Sequence, residues 1–483
     1  MNALVVVDNP KRWPLRMAGT DVVAAREYLE DPQFAVEPGT KVFNLCRSYK
    51  YQSAGYYVSL LAEARGHRPL PSVSVMQDLK MSSVVRLASD ELDDLIQSSL
   101  SAIKSDEFVL SIYFGRNLSP KYERLSLAIF NAFSAPLLRA SFERDGKWRL
   151  TGLRAIGVGE VPENHRPFIT EQAERYLKRK PSRGKTKKPA RFDLAILYDP
   201  KEALPPSDMP TLHKMCDAGE ELGIDCELIT KDAYGQIAEY DGLFIRETTS
   251  VNHHTYRFAR RAAAMGLFVI DDPVSIVRCS NKVFLAEQLT RHKIPMPHTV
   301  TFGREGAPTV PERTGLPCVI KKPDSSFSVG VIKAESLEEF ERVTNELFET
   351  TDLLVAQEFV PTDFDWRVGV LGGKPLFVCR YFMAPSHWQI LKHEEDGHKF
   401  GKVETIPVER APKDVVRCAV RAAGLIGNGL YGVDLKVVRG AAMVMEVNDN
   451  PNIDCEVEDR ILGDALYEAI MRHFLKGMEA RRQ

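Results

Sequence analysis

The sequence predicts a mixed fold in which two small α/β domains precede a larger α+β region. The chain has 483 residues, more than one hydrophobic core usually holds. In the first 280 residues, short apolar runs alternate with segments of helical periodicity, a pattern typical of α/β domains. From residue 281 onward this alternation gives way to mixed strands and helices, including a pronounced hairpin pattern.

Composition narrows the range of partners and compartments. The chain carries 64 Lys and Arg against 66 Asp and Glu, so its net charge of -2 provides no general attraction to nucleic acid or anionic membranes. The eight cysteines form no C-x-x-C pair, which favours reduced, mostly buried thiols. The apolar run at 3–7 is too short for a signal peptide, and no segment reaches the length of a membrane span. We therefore predict a cytoplasmic protein without a membrane partner.

The first predicted domain, residues 1–177, has α/β character. Strands are expected at 4–7, 41–45 and 108–113, and helices at 22–29 and 55–66, the latter ending on a glycine. We find no phosphate-binding loop and no catalytic cluster in this part of the sequence. Its role therefore stays open.

A basic segment at 178–191 follows, with lysines and arginines around Pro181, Gly184 and Pro189 and no acidic residue. This composition favours a solvated linker, and a nucleic-acid contact is the alternative. The second α/β domain is predicted over 192–280, with strands at 192–198, 242–246 and 267–270 and helices at 209–222 and 254–265. The remaining residues, 281–478, form the third predicted domain.

Residues 431–453 carry the strongest chemical pattern. Alternating runs at 433–438 and 442–447 flank a three-residue segment with a central glycine, which predicts a hairpin with a three-residue loop. This pairing places Asp434 opposite Glu446, with Asn448 on the same face. Their two carboxylates and one amide suit Mg²⁺, so we predict a magnesium site; a solvent-facing edge hairpin is the alternative. The opposite face should pack on a core through Val433, Leu435, Val437, Met443, Met445 and Val447.

Three further segments could contact a nucleotide. Lys321 ends an apolar run and precedes a loop of small polar residues, an arrangement that can hold phosphates; an ordinary surface hairpin is the alternative. Lys282 opens a helix and could equally be an exposed first-turn lysine. The segment Gln357, Glu358, Phe359, Val360 reads as a buried strand whose polar end could contact a purine edge, although any core strand would look similar.

The order of these features resembles the ATP-grasp superfamily. The resemblance rests on Asn281-Lys282, Lys321 with its small-residue loop, the Gln357 segment, Asp365-Trp366-Arg367, and Asp434 with Glu446-Val447-Asn448. It covers about residues 190–475 and is strongest to RimK-type glutamate ligases, especially longer relatives with an additional N-terminal domain. It implies a two-subdomain ATP-grasp fold over 281–478, preceded at 192–280 by a pre-ATP-grasp α/β domain.

The resemblance also implies roles for individual residues. Lys282 and Lys321 would contact the phosphates of ATP, and the loop containing Ser325, Ser326 and Gly330 would cover them. Adenine would lie against the strand 357–360 and ribose near Asp365, while Arg367 and Arg380 would face the transferred phosphoryl group and the carboxylate substrate. Magnesium, for which manganese may substitute, would be held by Asp434, Glu446 and Asn448.

The resemblance predicts an ATP-dependent carboxylate–amine ligase that forms an amide through an acyl phosphate, with ADP and phosphate as products. The substrates would be an amino acid, a peptide or a protein tail. Residues 387–402 depart from the ligand segment of RimK-type ligases, so the substrate does not transfer. A phosphotransferase using Asp363 or His387 as a base, and a non-catalytic ATP-binding protein, are the alternatives. Homo-oligomerisation stays open.

Overall fold

The computed structural model describes residues 3–13, 15, 20–35, 40–177, 190–324, 330–385, 388–394 and 397–482. These fall into two compact units, one within 1–183 together with 232–239, the other within 184–231 and 240–483. The mixed α/β and α+β class expected from the sequence is confirmed. The basic linker predicted at 178–191 lies almost entirely outside the described residues.

The first unit contains a parallel sheet and an antiparallel sheet. The parallel sheet has the order β2-β1-β3-β4, and the antiparallel sheet has the order β5-β6-β7. Its strands are β1 (Ala3–Val7), β2 (Asp21–Ala24), β3 (Lys41–Asn44), β4 (Arg68–Leu70), β5 (Glu107–Tyr113), β6 (Leu137–Asp145) and β7 (Lys147–Ala155). Its helices are α1 (Ala25–Glu30), α2 (Ala54–Ala64), α3 (Val73–Asp78), α4 (Ser82–Glu91), α5 (Asp93–Leu100), α6 (Glu123–Ala132) and α7 (Arg166–Leu177).

Local sequence signals account for the ends of α2, but they gave a partly wrong prediction at 22–29. Helix α2 begins after Ser53, whose hydroxyl accepts a hydrogen bond from the N–H of Tyr56, and Gly66 follows with φ of 68°. The helix predicted at 22–29 is half wrong, because Asp21–Ala24 forms strand β2 before α1 begins. The pair Val22-Val23 suits a strand, and parallel pairing with β1 outweighs the helical periodicity.

The second unit begins with another parallel sheet, in the order β9-β8-β10-β11. Two antiparallel sheets follow, the four-stranded β12-β15-β13-β14 and the five-stranded β20-β17-β16-β21-β22, with a separate hairpin β18-β19. The strands are β8 (Phe192–Leu197), β9 (Ile224–Ile229), β10 (Gly242–Ile245), β11 (Phe268–Ile270), β12 (Thr299–Phe302), β13 (Cys318–Lys321), β14 (Val331–Ala334), β15 (Leu354–Glu358), β16 (Phe364–Leu371), β17 (Lys374–Phe382), β18 (Leu391–Glu394), β19 (Gly397–Phe400), β20 (Val403–Ile406), β21 (Leu430–Val438) and β22 (Ala441–Asn448).

The helices of the second unit cover these sheets. They are α8 (Met209–Glu221), α9 (His254–Ala264), α10 (Pro273–Ser280), α11 (Lys282–Arg291), α12 (Val310–Thr314), α13 (Leu337–Leu347), α14 (Lys413–Ile426) and α15 (Asp464–Arg482). Helix α14 packs its apolar side on the five-stranded sheet and forms one core with Val368, Val433 and Val444. No helix in the described residues is long and apolar enough to cross a membrane. All eight cysteines are free, and six of them are buried.

The β21–β22 hairpin reaches the predicted pairing by a different route. Its loop has two residues, Arg439 and Gly440, both with positive φ, instead of the predicted three. A bulge beside Asp434 restores the register, so Asp434 still pairs with Glu446. The bulge also corrects the predicted apolar face. The residues buried in the core include Val433, Leu435, Ala442, Val444 and Val447, whereas Met445 lines a cavity.

Candidate active site

The second unit encloses a cavity of about 730 Å³, within the usual size range of small-molecule sites. Its walls come from β15, β16, β17, β21 and β22, from the start of α11, and from the segments 203–208 and 248–250. Eleven of the fifteen site residues predicted from the sequence line this cavity: Lys282, Lys321, Gln357, Glu358, Phe359, Val360, Asp365, Arg367, Asp434, Glu446 and Asn448.

Arg367 on β16 binds Asp434, the first of the predicted metal ligands. Arg367 is paired with Asp434 in the sheet register, and its Nε and Nη2 atoms each donate to a carboxylate oxygen at 2.7 Å. Asn448 donates to the same carboxylate at 3.2 Å. Such a two-pronged pair fixes the position of both charged groups. Asp434 is therefore held rigidly at the wall of the cavity.

The second carboxylate lies between two lysines. Lys282 Nζ lies 3.2 Å from Glu446 Oε1, because the first turn of α11 approaches strand β22. Asn281 caps this helix by accepting from the N–H of Phe284. Burial favours the neutral form of Glu446, but the charges of Lys282 and Lys321 outweigh it and lower the pKa of Glu446. Glu446 is therefore ionised at neutral pH.

Lys321 occupies the end of β13, and its ammonium donates to the amide oxygen of Gln357 at 2.8 Å. Gln357 in turn donates to Thr299 at 3.0 Å, so the amide is fixed in place. Burial, opposed by the charge of Glu446 and assisted by the charge of Lys282, lowers the pKa of Lys321 to about 8. A buried ammonium whose hydrogen-bond partner is neutral is well suited to receive an anion such as phosphate.

A lysine that the sequence analysis missed lies next to Asp365. Lys436 Nζ contacts Asp365 Oδ1 and the hydroxyl of Thr362, both at 2.6 Å. Burial raises the pKa of Asp365, although Lys436 acts in the opposite direction. The signal was present in the sequence, because Lys436 is two residues from Asp434 and so lies on the same strand face.

The strand segment assigned to adenine has one open donor. The N–H of Glu358 donates to the carbonyl of His298, and that of Phe359 donates to the carbonyl of Pro317. No other described residue accepts from the N–H of Val360, which lies two residues beyond the end of β15. A ligand edge with an acceptor could therefore pair with Val360.

The donor chemistry at the hairpin fits a magnesium ion. Asp434, Glu446 and Asn448 offer two carboxylates and one amide oxygen along the wall of one cavity. Asn448 uses its Nδ2 atom toward Asp434, which leaves its amide oxygen for a ligand. A metal at this position would share the Asp434 carboxylate with Arg367.

Of the other four predicted site residues, the two described ones, Gly330 and Arg380, do not line the cavity. Ser325 and Ser326 lie outside the described residues. Gly330 begins the turn into β14 with φ of 71°. Arg380 pairs in register with Trp366, one residue out of phase with Arg367, so the two arginines point to opposite faces of the sheet. Its guanidinium lies 2.9 Å from Glu404 instead. A bulge between Gly369 and Val370 produces this register, so strand alternation alone would not have separated the two arginines.

Two acidic groups in the cavity wall had no signal in the sequence. Glu458 accepts a hydrogen bond from the hydroxyl of Tyr381, and burial raises the pKa of Glu458 to about 7. Asp449 accepts from Thr249 at 2.8 Å, and burial likewise raises its pKa to about 7. Both contacts join residues that are far apart in the chain. Only the three-dimensional fold brings them together.

Comparison with known proteins identifies two domains in the chain. Residues 279–452 match the family model of the ATP-grasp domain, and residues 25–172 match that of the RimK-like ATP-grasp N-terminal domain. The chain therefore contains an ATP-grasp domain, preceded by a RimK-like ATP-grasp N-terminal domain.

The proteins to which the chain is similar include two curated relatives and one solved structure. A protein of Rhodopirellula baltica named "Probable alpha-L-glutamate ligase" is 28% identical over 224 residues, 45% of this chain and 53% of that protein. A protein of the same name from Alcanivorax borkumensis is 26% identical over 227 residues, 46% of this chain and 72% of that protein. The match thus spans about half the length of the first relative. The RimK domain protein ATP-grasp from Sphaerobacter thermophilus is 17% identical, with a TM-score of 0.44 over 59% of this chain and 99% of that one.

Proposed function

We propose that this protein is an ATP-dependent carboxylate–amine ligase, which activates a carboxylate as an acyl phosphate and releases ADP and phosphate. The main support is the convergence of two lysines and three oxygen-bearing side chains on one cavity wall, from α11, β13, β21 and β22. The ligase names of the relatives support the same reaction class. A cytoplasmic location and amino-acid, peptide or protein-tail substrates belong to this proposal.

In this proposal, some of the cavity-lining residues bind ATP and others stabilise charge. Lys282 and Lys321 would hold the phosphates, and the open N–H of Val360 would pair with adenine. Asp434, Glu446 and Asn448 would hold magnesium, which neutralises charge on the phosphate oxygens when bound. Arg367 would face the transferred phosphoryl group, since it is fixed at the same wall by Asp434.

A ligase of this kind needs no side-chain base for its first step. A substrate carboxylate is already ionised near neutral pH and can attack the γ-phosphorus directly. The acyl phosphate must then be kept from water until the amine attacks its carbonyl carbon. Phosphate leaves as the amide bond forms. Of the two bases considered for a phosphotransferase, Asp363 does not line the cavity, and His387 lies outside the described residues.

The reaction class can be tested by isotope transfer. We would incubate the protein with Mg-ATP and pools of amino acids and short peptides whose carboxylates carry ¹⁸O, with glutamate-containing pools first. A ligase transfers one ¹⁸O to inorganic phosphate and yields an amide product of matching mass, both detected by mass spectrometry.

Glu446→Gln serves as the control for contaminating ATPases, because it removes a proposed magnesium ligand while keeping side-chain size. A stable phosphorylated acceptor without an amide would identify a phosphotransferase and defeat the ligase proposal. ATP binding without any turnover would favour the non-catalytic alternative.

A further inference from the structure

A second cluster of metal-type ligands lies behind the cavity wall, in the α/β part of the second unit. Glu247 follows β10, and His253 and His254 stand at the start of α9. His254 Nε2 lies 2.6 Å from Glu247 Oε1, and His253 Nε2 lies 3.9 Å from the same oxygen. One ligand atom from each of the three lies within 4.8 Å of the other two. None of the three residues lines the cavity.

Burial makes this cluster costly unless something else binds there. Glu247 is only 3% exposed, and its Oε2 has no hydrogen-bond partner in the described part of the chain. An unsatisfied carboxylate oxygen in this setting carries a desolvation penalty. The two imidazole rings lie 3.9 Å apart, so both histidines are close to the same carboxylate.

We propose that Glu247, His253 and His254 bind one zinc ion. Two imidazole nitrogens and one carboxylate oxygen are a ligand set that zinc accepts, with water in the fourth position. Tetrahedral bonds of about 2.0–2.1 Å place neighbouring ligand atoms about 3.3 Å apart. The observed separations of 2.6 and 3.9 Å lie on either side of this value, and the three ligand atoms all lie within 4.8 Å of one another.

A neighbouring threonine prepares one histidine for this role. His253 Nδ1 lies 3.1 Å from the hydroxyl of Thr255, which is fully buried. When Nδ1 carries the proton and donates to Thr255, the lone pair of Nε2 faces Glu247 and is free for a metal. His253 also occupies the N-cap position of α9 but makes no side-chain capping bond. Helix capping therefore does not explain this histidine.

The position of the site indicates what zinc would do. Glu247 precedes the short segment 248–252, and the two histidines follow it. One ion bound by all three residues would therefore connect the two ends of this segment. Thr248, Thr249 and Ser250 of this segment line the cavity. Zinc would therefore fix one wall of the cavity from behind. This inference does not depend on the proposed ligase reaction.

The test is a zinc titration of metal-free full-length protein, in excess Mg²⁺ so that the hairpin ligands are occupied. We expect one zinc per chain, measured by competition with a chromophoric chelator, and a higher melting temperature with zinc. His253→Ala and Glu247→Gln should each weaken zinc binding at least 10-fold. His253→Ala is the safer variant for folding, because its side chain is 42% exposed.

His292→Ala is the matched control, since this exposed histidine at the end of α11 lies outside the cluster and should leave zinc binding unchanged. Cobalt substitution distinguishes the ligands, because a cysteine site would add a strong thiolate charge-transfer band that a histidine–carboxylate site lacks. No stoichiometric zinc in the wild type would overturn the proposal, and so would zinc binding that survives His253→Ala.

Discussion

The two parallel sheets of the molecule have the same strand order, but they differ in the residues that follow their strands. Sheets β2-β1-β3-β4 and β9-β8-β10-β11 correspond strand for strand. Helices α2 and α9 begin 200 residues apart, at 54 and 254, and strands β4 and β11 keep that spacing at 68 and 268. Gly66 and Gly266 follow the two helices with φ of 68° and 80°. The backbone pattern is thus the same in both regions.

The two regions differ in the residues that follow the corresponding strands β3 and β10. In the first region Leu45 and Cys46 follow β3 and are buried as apolar groups. In the second region Arg246 and Glu247 follow β10, equally buried but charged. At the helix starts, Ser53 caps α2, whereas His253 stands at the same position of α9 without a capping bond. The same backbone pattern therefore carries apolar residues after this strand in the first region and an arginine and a glutamate in the second.

The largest effect on stability should come from replacing Arg246, which follows β10, with leucine, the residue type that follows β3 in the first region. Arg246 is fully buried and donates to Ser207, Asn450 and the carbonyls of Pro206 and Pro451. Arg246→Leu removes these bonds and leaves buried acceptors unsatisfied, so we expect a loss of about 3–5 kcal/mol in unfolding free energy. Urea unfolding, with hydrogen exchange to separate the two units, measures it.

Arg47→Leu, at an exposed position in the first region, is the control and should change stability by less than about 0.5 kcal/mol. If Arg246→Leu unfolds no more easily than this control, the buried arginine does not join the strand end to the loops around it.

The second prediction concerns Glu446, a carboxylate on strand β22 in the cavity wall. Glu446→Gln should lower ATP-dependent turnover by about 10²- to 10³-fold, the usual effect of removing one charge-stabilising group. Glu404→Gln makes the same chemical change on the same sheet, where Glu404 pairs with Arg380 outside the cavity. It should leave turnover nearly intact. Equal losses in both variants would contradict the magnesium assignment.

The third prediction concerns Lys321, whose pKa of about 8 makes its charge depend on pH in the physiological range. Below that pKa the ammonium is charged and favours phosphate, so the Kd for ATP should rise as pH increases through 8. Lys321→Ala should weaken ATP binding by about 1.5–3 kcal/mol and remove this pH dependence. Calorimetry at several pH values measures both, with exposed Lys374→Ala as the control. A pH dependence that persists in Lys321→Ala would point to another group.

The sequence predicted elements and pairings whose cause is local. The alternation on both sides of Arg439-Gly440 predicted the hairpin, and the pairing of Asp434 with Glu446 is confirmed. The loop length was wrong because a bulge, which has no sequence signature here, absorbs one residue. The strand at 21–24 was missed because its neighbour β1 stabilises it, not its own pattern.

Contacts between distant segments were beyond local reasoning. Thr249 and Asp449 are 200 residues apart, and Tyr381 and Glu458 are 77 apart, yet each pair is hydrogen bonded. The cluster of Glu247 with two histidines was likewise missed, because its spacing matches no familiar zinc motif. These groups acquire a role only when the fold brings their segments together.

The smallest effect is expected at the edge of the first sheet. Asp8 follows β1 and is exposed, and its carboxylate accepts from the backbone N–H of Arg47 at 2.7 Å. Asp8→Asn keeps an acceptor at this position, so we expect a stability change within about 0.5 kcal/mol. ATP-dependent turnover should also be unchanged, because neither Leu45 nor Cys46 offers a charged group at this edge. A 10-fold loss of turnover with intact folding, judged by circular dichroism and steady-state kinetics, would show that this edge also takes part in the reaction. The functional contrast between the two sheets would then be lost, even though their strand order and helix positions would still agree.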